Sequence, residues 1–166
     1  MGKQTKSRET EFHSWIKECV ENNKTSELNK MLKHIHIEGL EVPLSDPMSV
    51  MTRDMDMTKR NPKNIGRIDI VFRYKQTSYV AEIKDYDPGQ SSFWYAAKAL
   101  CYCEYLKWQT DSDRFKPAVI IPADSIRLEH QIVAGRLGLA IFLFNKVDDG
   151  FRMRMIDDRP WWKQTQ

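Results

Sequence analysis

Two neighbouring runs of the sequence decide how this chain folds, IDIVFRY at residues 68–74 and YVAEIK at residues 79–84. Both runs are rich in Val, Ile, Phe and Tyr, the residues that favour β-strands. They also carry Asp69, Glu82 and Lys84, where strands are usually apolar. Because burying an ionised group is costly unless it is paired or binds a cation, these three residues are candidates for a functional site.

The length of the loop between the two predicted strands decides which side chains share a face of the sheet, since side chains alternate along a strand. A two-residue loop at Lys75-Gln76 sets Asp69 opposite Glu82, with Lys84 on the same face. Directly opposed Cβ atoms lie about 4.5–5.5 Å apart, near enough for two carboxylates to share one cation. The other face then carries the apolar and aromatic residues Ile68, Ile70, Phe72, Tyr74, Tyr79, Ala81 and Ile83.

Two adjacent carboxylates repel each other, and one takes up a proton unless a cation neutralises the pair. Oxygen ligands suit Mg²⁺ or Mn²⁺, which bind through one or two carboxylates together with water and substrate phosphate. Lys84 is placed to orient or deprotonate an attacking water, or to hold a phosphate oxygen. The pattern therefore predicts metal-dependent hydrolysis of phosphodiesters.

Asp69, followed on the next strand by Glu82-Ile83-Lys84, resembles the core motif of the PD-(D/E)XK nuclease superfamily. That superfamily includes restriction endonucleases, archaeal Holliday-junction resolvases and RecB-type nuclease domains. The resemblance is strongest over residues 66–106, and Ile68 stands where many members have proline. It implies a restriction-endonuclease-like fold, metal ligation by Asp69, Glu82 and the Ile83 carbonyl, and a Lys84 that serves the nucleophile.

The resemblance also implies two further catalytic residues. Members usually have a glutamate on an N-terminal helix, and both Glu9 and Glu11 fit that place in this sequence. Glu11 is slightly preferred because Trp15 lies one turn further along the helix. Members sometimes have a glutamine near the start of the helix after the lysine, a place that Gln90 occupies.

A basic group leads directly into the motif. Its side chains would hold nucleic-acid phosphates beside the metal. An exposed, solvated loop explains the same residues equally well. The group consists of Lys59, Arg60, Lys63 and Arg67.

Composition is ordinary for a globular protein, with 166 residues, 41% of them hydrophobic and 30% charged. This length predicts one domain over residues 1–166, and a net charge of +3 does not distinguish among partners. Three cysteines do not form a disulfide framework. No apolar run approaches the roughly 20 residues needed to span a bilayer, and the first six residues lack the apolar stretch that is typical of a signal peptide. We therefore expect a cytoplasmic protein that does not bind membranes.

The order of elements predicts an α/β fold, a mixed central sheet flanked by helices. The patterns predict N-terminal helices over about 8–34, an ambiguous stretch at 35–50, a loop at 51–66 and a core over about 66–157. Within that core, the hairpin is followed by a helix to about residue 108, a strand at 116–122, a helix at 124–137 and two last strands.

The sequence thus predicts a Mg²⁺- or Mn²⁺-dependent nuclease, with a DNA endonuclease as the preferred activity. The preference for DNA over RNA comes from the resemblance alone. The alternative is a non-catalytic nucleic-acid-binding or assembly module built on a nuclease fold. A third interpretation is a protein-interaction domain with an incidental cluster of charges. A homodimer would let two sites cut both strands, and the sequence leaves the oligomeric state open.

Overall fold

In a computed structural model of the chain, residues 7–24, 28, 32–45, 64–85 and 94–156 are described. These residues form an α/β fold in which a six-stranded mixed sheet is flanked by helices. The elements are α1 (Arg8–Glu21), β1 (Ile35–Ser45), β2 (Asn64–Tyr74), β3 (Thr77–Ile83), α2 (Trp94–Thr110), β4 (Phe115–Pro122), α3 (Leu128–Leu137), β5 (Ala140–Val147) and β6 (Gly150–Met155).

The strands lie side by side in the same order as in the sequence, from β1 to β6. The pairs β1–β2, β2–β3 and β5–β6 are antiparallel. The central pairs β3–β4 and β4–β5 are parallel, and α2 and α3 make the crossovers that parallel neighbours require. The predicted mixed sheet is therefore confirmed.

The hairpin of β2 and β3 has the predicted register. Ile70 pairs with Ala81 and Tyr74 with Thr77, which leaves Lys75 and Gln76 as the two-residue turn. Lys75 takes a positive φ of 55°, as the tight turns of two-residue hairpins demand. Followed away from the turn, the ladder between the two strands ends at Ile70 and Ala81. Asp69, the next residue of β2 in that direction, is therefore no longer paired with the backbone of β3.

One face of the sheet is covered by α1. Its buried residues Phe12, Ile16 and Cys19 recur at intervals of three to four residues, which places them on one side of the helix. They pack in a single cluster with Ile70 and Phe72 of β2. Ser7 caps the helix, because its side chain accepts a hydrogen bond of 3.2 Å from the backbone N–H of Thr10.

The other face is covered by α2 and α3. Val119 and Ile121 of β4 pack against Ala96 and Ala99 of α2 and Ala134 of α3. Val71 and Val80 of the hairpin pack against Cys103 and Leu106 of α2. The central strands β3 and β4 are thus covered by helices on both sides.

Ile68 is an exception to the predicted alternation. It packs with Val71 and Leu44 and not with Ile70 and Phe72. Beyond Ile70 the strands β1 and β2 continue as a two-stranded ribbon, and such ribbons twist more strongly than wider sheets.

The expectations outside the hairpin have different outcomes. The ambiguous stretch after residue 34 forms β1, and residues 64–66, predicted as loop, belong to β2. Most of the predicted second helix lies outside the described residues, although Leu28 and Leu32 are buried as expected. All three cysteines are free. None of the described helices is long and apolar enough to cross a bilayer.

Candidate active site

Asp69 lies where β2 parts from β3. Its Oδ2 accepts a hydrogen bond of 2.9 Å from the backbone N–H of Ile83. The carboxylate therefore accepts a hydrogen bond from a backbone N–H that has no partner in the backbone of β2. This bond fixes Asp69 beside the end of β3, where Glu82 and Lys84 flank Ile83 in the sequence.

Glu82 is the last residue but one of β3, a central strand of the sheet, and only 1% of its surface is exposed. Its Oε2 accepts a hydrogen bond of 2.7 Å from Lys98 Nζ on α2. The other oxygen, Oε1, is also buried and has no hydrogen-bond partner among the described residues. A buried acceptor without a partner is unusual in a folded protein, so Oε1 is the atom of the site that most needs a ligand.

The pKa of Glu82 is raised from 4.5 to about 7, chiefly by burial and next by the neighbouring charge of Asp69. The hydrogen bond from Lys98 and the charges of Lys98 and Lys84 lower it in part. The pKa of Lys98 is raised: burial is the largest single influence and lowers it, but the hydrogen bond to Glu82 and the negative charges nearby together outweigh burial. Asp69 and the two lysines are thus close enough to influence the charge of Glu82.

Lys84 follows the last residue of β3 and stays aligned with β4, because its backbone N–H donates to the Ile120 carbonyl over 2.9 Å. Its half-buried side chain turns towards α1, where Nζ donates to Glu9 Oε1 at 3.1 Å. The other oxygen of Glu9 accepts from the backbone N–H of Asp85 at 3.2 Å. Glu9 therefore holds the end of β3 through both of its oxygens.

Arg8 fastens the start of α1 over the strand ends. Its guanidinium pairs with Asp85 at 2.7 Å and with Asp124 in the loop after β4. The pKa of Arg8 is raised by these hydrogen bonds, and the same contact lowers the pKa of Asp124. This network fixes the position of Glu9, the next residue of the helix.

The structure brings Asp69, Glu82, Ile83 and Lys84 together, but it does not bring Glu11 to them. Glu11 contacts Lys146 of β5 at 3.4 Å, and Glu9 occupies the place beside Lys84. The preference for Glu11 is therefore corrected. The sequence spacing favours Glu9, because it lies three residues before Phe12 and seven before Ile16 and so shares the side of α1 that faces the sheet.

Sequence reasoning also missed Lys98. The lysine is the only charged residue among the first ten of α2, Trp94 to Cys103, and that isolation was an available signal. Arg67 is an exposed residue of β2, two positions before Asp69. Four other predicted site residues lie outside the described part of the chain: Lys59, Arg60, Lys63 and Gln90.

The described residues contain no group of three or more His, Cys, Asp or Glu side chains arranged to hold a metal. The site instead offers two carboxylates, Asp69 and Glu82, and one backbone carbonyl. Comparison of the chain with protein families, with curated proteins and with solved structures finds no match.

Proposed function

We propose that this protein is a metal-dependent nuclease that hydrolyses phosphodiester bonds, with DNA endonuclease activity. The observation that carries the proposal is the Oε1 atom of Glu82, which is buried beside Asp69 without a hydrogen-bond partner among the described residues. A divalent cation shared by the two carboxylates would satisfy this atom and remove the repulsion between the two charges.

The donor set fits Mg²⁺ or Mn²⁺. In an extended strand the N–H and C=O of one residue point to the same side, and the Ile83 N–H points to Asp69. The Ile83 carbonyl therefore faces the same side of β3 as the Asp69 carboxylate. Two carboxylates and a carbonyl are hard oxygen ligands, and Mg²⁺ commonly takes only one or two carboxylates from the protein.

The chemistry that a bound cation supplies is activation of the attacking water and stabilisation of charge that develops on the phosphodiester. Lys84 adds a positive charge at the end of β3. An ammonium has three donors, and among the described residues Glu9 accepts one of them from Nζ. The other two would orient the water or hold a phosphate oxygen. Glu9 in turn keeps Lys84 over the strand end.

The arrangement accords with a restriction-endonuclease-like member of the PD-(D/E)XK superfamily, and we include that assignment in the proposal. Asp69 lies in β2 where that strand separates from β3, and the Glu82-Ile83-Lys84 triplet lies at the end of β3, its antiparallel neighbour in a mixed sheet. A helix precedes them and contributes Glu9.

The proposal predicts cleavage that depends on Mg²⁺ or Mn²⁺ and on the acids. Supercoiled plasmid, linear duplex, flapped DNA, four-way junctions and structured RNA would be incubated with the protein and either ion. We expect cleavage of DNA by the wild-type chain, and a loss of at least about a hundredfold in Glu82→Ala and Lys84→Ala, as for single electrostatic groups in other active sites.

A matched control is Glu104→Ala, which removes an exposed glutamate that pairs with Lys107 at 2.7 Å on the outer side of α2. This variant should cleave like the wild type. Equal cleavage by the wild type and Glu82→Ala would refute the proposal, because the activity would then belong to a contaminant. Faster cleavage of RNA than of DNA would overturn the preference for DNA.

One observation favours the second candidate, a non-catalytic nucleic-acid-binding or assembly module. Glu82 pairs with Lys98 and Lys84 pairs with Glu9, so the acids already have protein counter-ions. Calorimetric titration with Mn²⁺ distinguishes the two functions. A catalytic site should bind Mn²⁺ in the wild type and lose this binding in Asp69→Asn, whereas DNA binding without Mn²⁺ binding would favour the module.

A further inference from the structure

Lys98 contacts the buried Glu82 and is itself partly exposed to solvent. Glu82 is 1% exposed, whereas the Lys98 side chain that contacts it is 31% exposed. A substrate that approaches the carboxylates from solvent therefore meets the ammonium of Lys98 beside them. The lysine belongs to α2, on the opposite face of the sheet from α1 and Glu9.

The ammonium of Lys98 has capacity for another acceptor. It carries three donors, and Glu82 Oε2 accepts one of them. No other hydrogen bond from Nζ is found in the described part of the chain. A lysine ammonium is charged at neutral pH.

Tyr102 supports Lys98 from the same side of the helix. The ammonium lies 5.1 Å from the centre of the Tyr102 ring, within the range of a cation–π contact. The hydroxyl of Tyr102 lies over Gly66 of β2, where an added Cβ would come within 2.2 Å of that oxygen. The ring is thus seated against β2, and the ammonium is held between the ring and Glu82.

We propose that Lys98 is a substrate-binding residue whose ammonium contacts a phosphate oxygen of the nucleic acid while it retains Glu82 Oε2. This inference rests on the proposed function and extends it to a residue outside the Asp69, Glu82 and Lys84 set. The bound cation and Lys98 would then take different oxygens of the same carboxylate, Oε1 and Oε2. Lys98 would approach the substrate from α2, and Lys84 from the end of β3.

The test measures the affinity for DNA as a function of salt concentration. Fluorescence anisotropy of a labelled duplex would be recorded with Ca²⁺ in place of Mg²⁺, and cleavage would be measured in parallel samples that contain Mg²⁺. Each phosphate contact made by a lysine contributes about 0.9 to the slope of log affinity against log salt. We expect Lys98→Met to reduce the slope by about 1 and the affinity at 0.1 M salt by about tenfold.

Three further variants separate a phosphate contact from a structural role. Lys98→Gln keeps an N–H donor for Glu82 but removes the charge, so its slope should fall as in Lys98→Met. Lys98→Arg keeps the charge and should retain the wild-type slope. Lys107→Met, on the same helix, removes a lysine that forms an ion pair of the same 2.7 Å length with Glu104 and should change nothing.

The slopes of the variants decide whether Lys98 contacts phosphate. A wild-type slope in Lys98→Gln overturns it, even if the wild-type protein cleaves DNA. An equal fall in Lys107→Met also overturns it, because the effect would then reflect net charge alone. A lowered slope at Lys98 without cleavage supports the contact and removes the catalytic proposal. Absence of DNA binding by the wild type removes both.

Discussion

Glu82 is the one carboxylate that is fully buried in the described part of the chain. Its pKa of about 7 in the folded protein exceeds the value of 4.5 expected when the chain is unfolded. Between pH 4.5 and about pH 7, Glu82 therefore keeps its proton in the folded protein but loses it in the unfolded chain. The stability that this group contributes is therefore present at low pH and is lost as the pH rises through about 7.

The substitution Glu82→Gln should remove this dependence. Without divalent ions, we expect the wild type to lose up to about 3 kcal/mol relative to the variant between pH 5 and pH 8, at 1.36 kcal/mol per pKa unit. Urea unfolding of both proteins at the two pH values measures the difference. If the unfolding free energies of the wild type and Glu82→Gln differ by the same amount at both pH values, Glu82 ionises in the folded state as it does in water.

Glu9 and Glu11 provide a second comparison between single residues, because only Glu9 contacts Lys84. We expect Glu9→Gln to lower the rate of DNA cleavage by about tenfold or more, the usual effect of removing a residue that orients a site group. Glu11→Gln, which removes only an exposed contact with Lys146, should stay within about twofold. Equal losses, or a larger loss in Glu11→Gln, would return the role to Glu11.

At the scale of elements, the hairpin was predictable because a two-residue loop and the alternation of side chains fix the register together. The stretch that became β1 was ambiguous because its partner is β2, and the pairing of separate strands leaves little trace in the local sequence. The contact of Trp15 with Gly150 was invisible for the same reason. The indole lies where an added Cβ at position 150 would come within 2.7 Å.

That contact makes Gly150 a test of how the β5–β6 hairpin packs on α1. Gly150→Ala should destabilise the protein by about 1–3 kcal/mol, because the new methyl group meets the indole and the backbone has a φ of +146°. Gly135→Ala is the control, because this glycine lies in α3 with nothing within 4 Å of the added Cβ. It should stabilise the helix by about 0.5–1 kcal/mol. Urea unfolding measures both, and a neutral Gly150→Ala would contradict the packing.

At the scale of the whole molecule, the candidate site draws on both layers of helices. The sequence indicated Asp69, Glu82 and Lys84, since they lie on one hairpin whose geometry is local. It did not indicate Lys98 or decide for Glu9, because their positions depend on how α2 and α1 cross the sheet. Hydrophobic patterning shows which side of a helix is buried, but it does not show which strand end the helix reaches.

The order of the strands has a consequence for the growing polypeptide. Every strand pairs with the one made before it, so the sheet can extend in sequence as the chain leaves the ribosome. Until α2 and β4 have been synthesised, β3 is an open edge that carries Glu82 without its lysine partner. A carboxylate on such an edge discourages pairing between unfinished chains, so the residue that is costly in the finished sheet protects the incomplete one from aggregation.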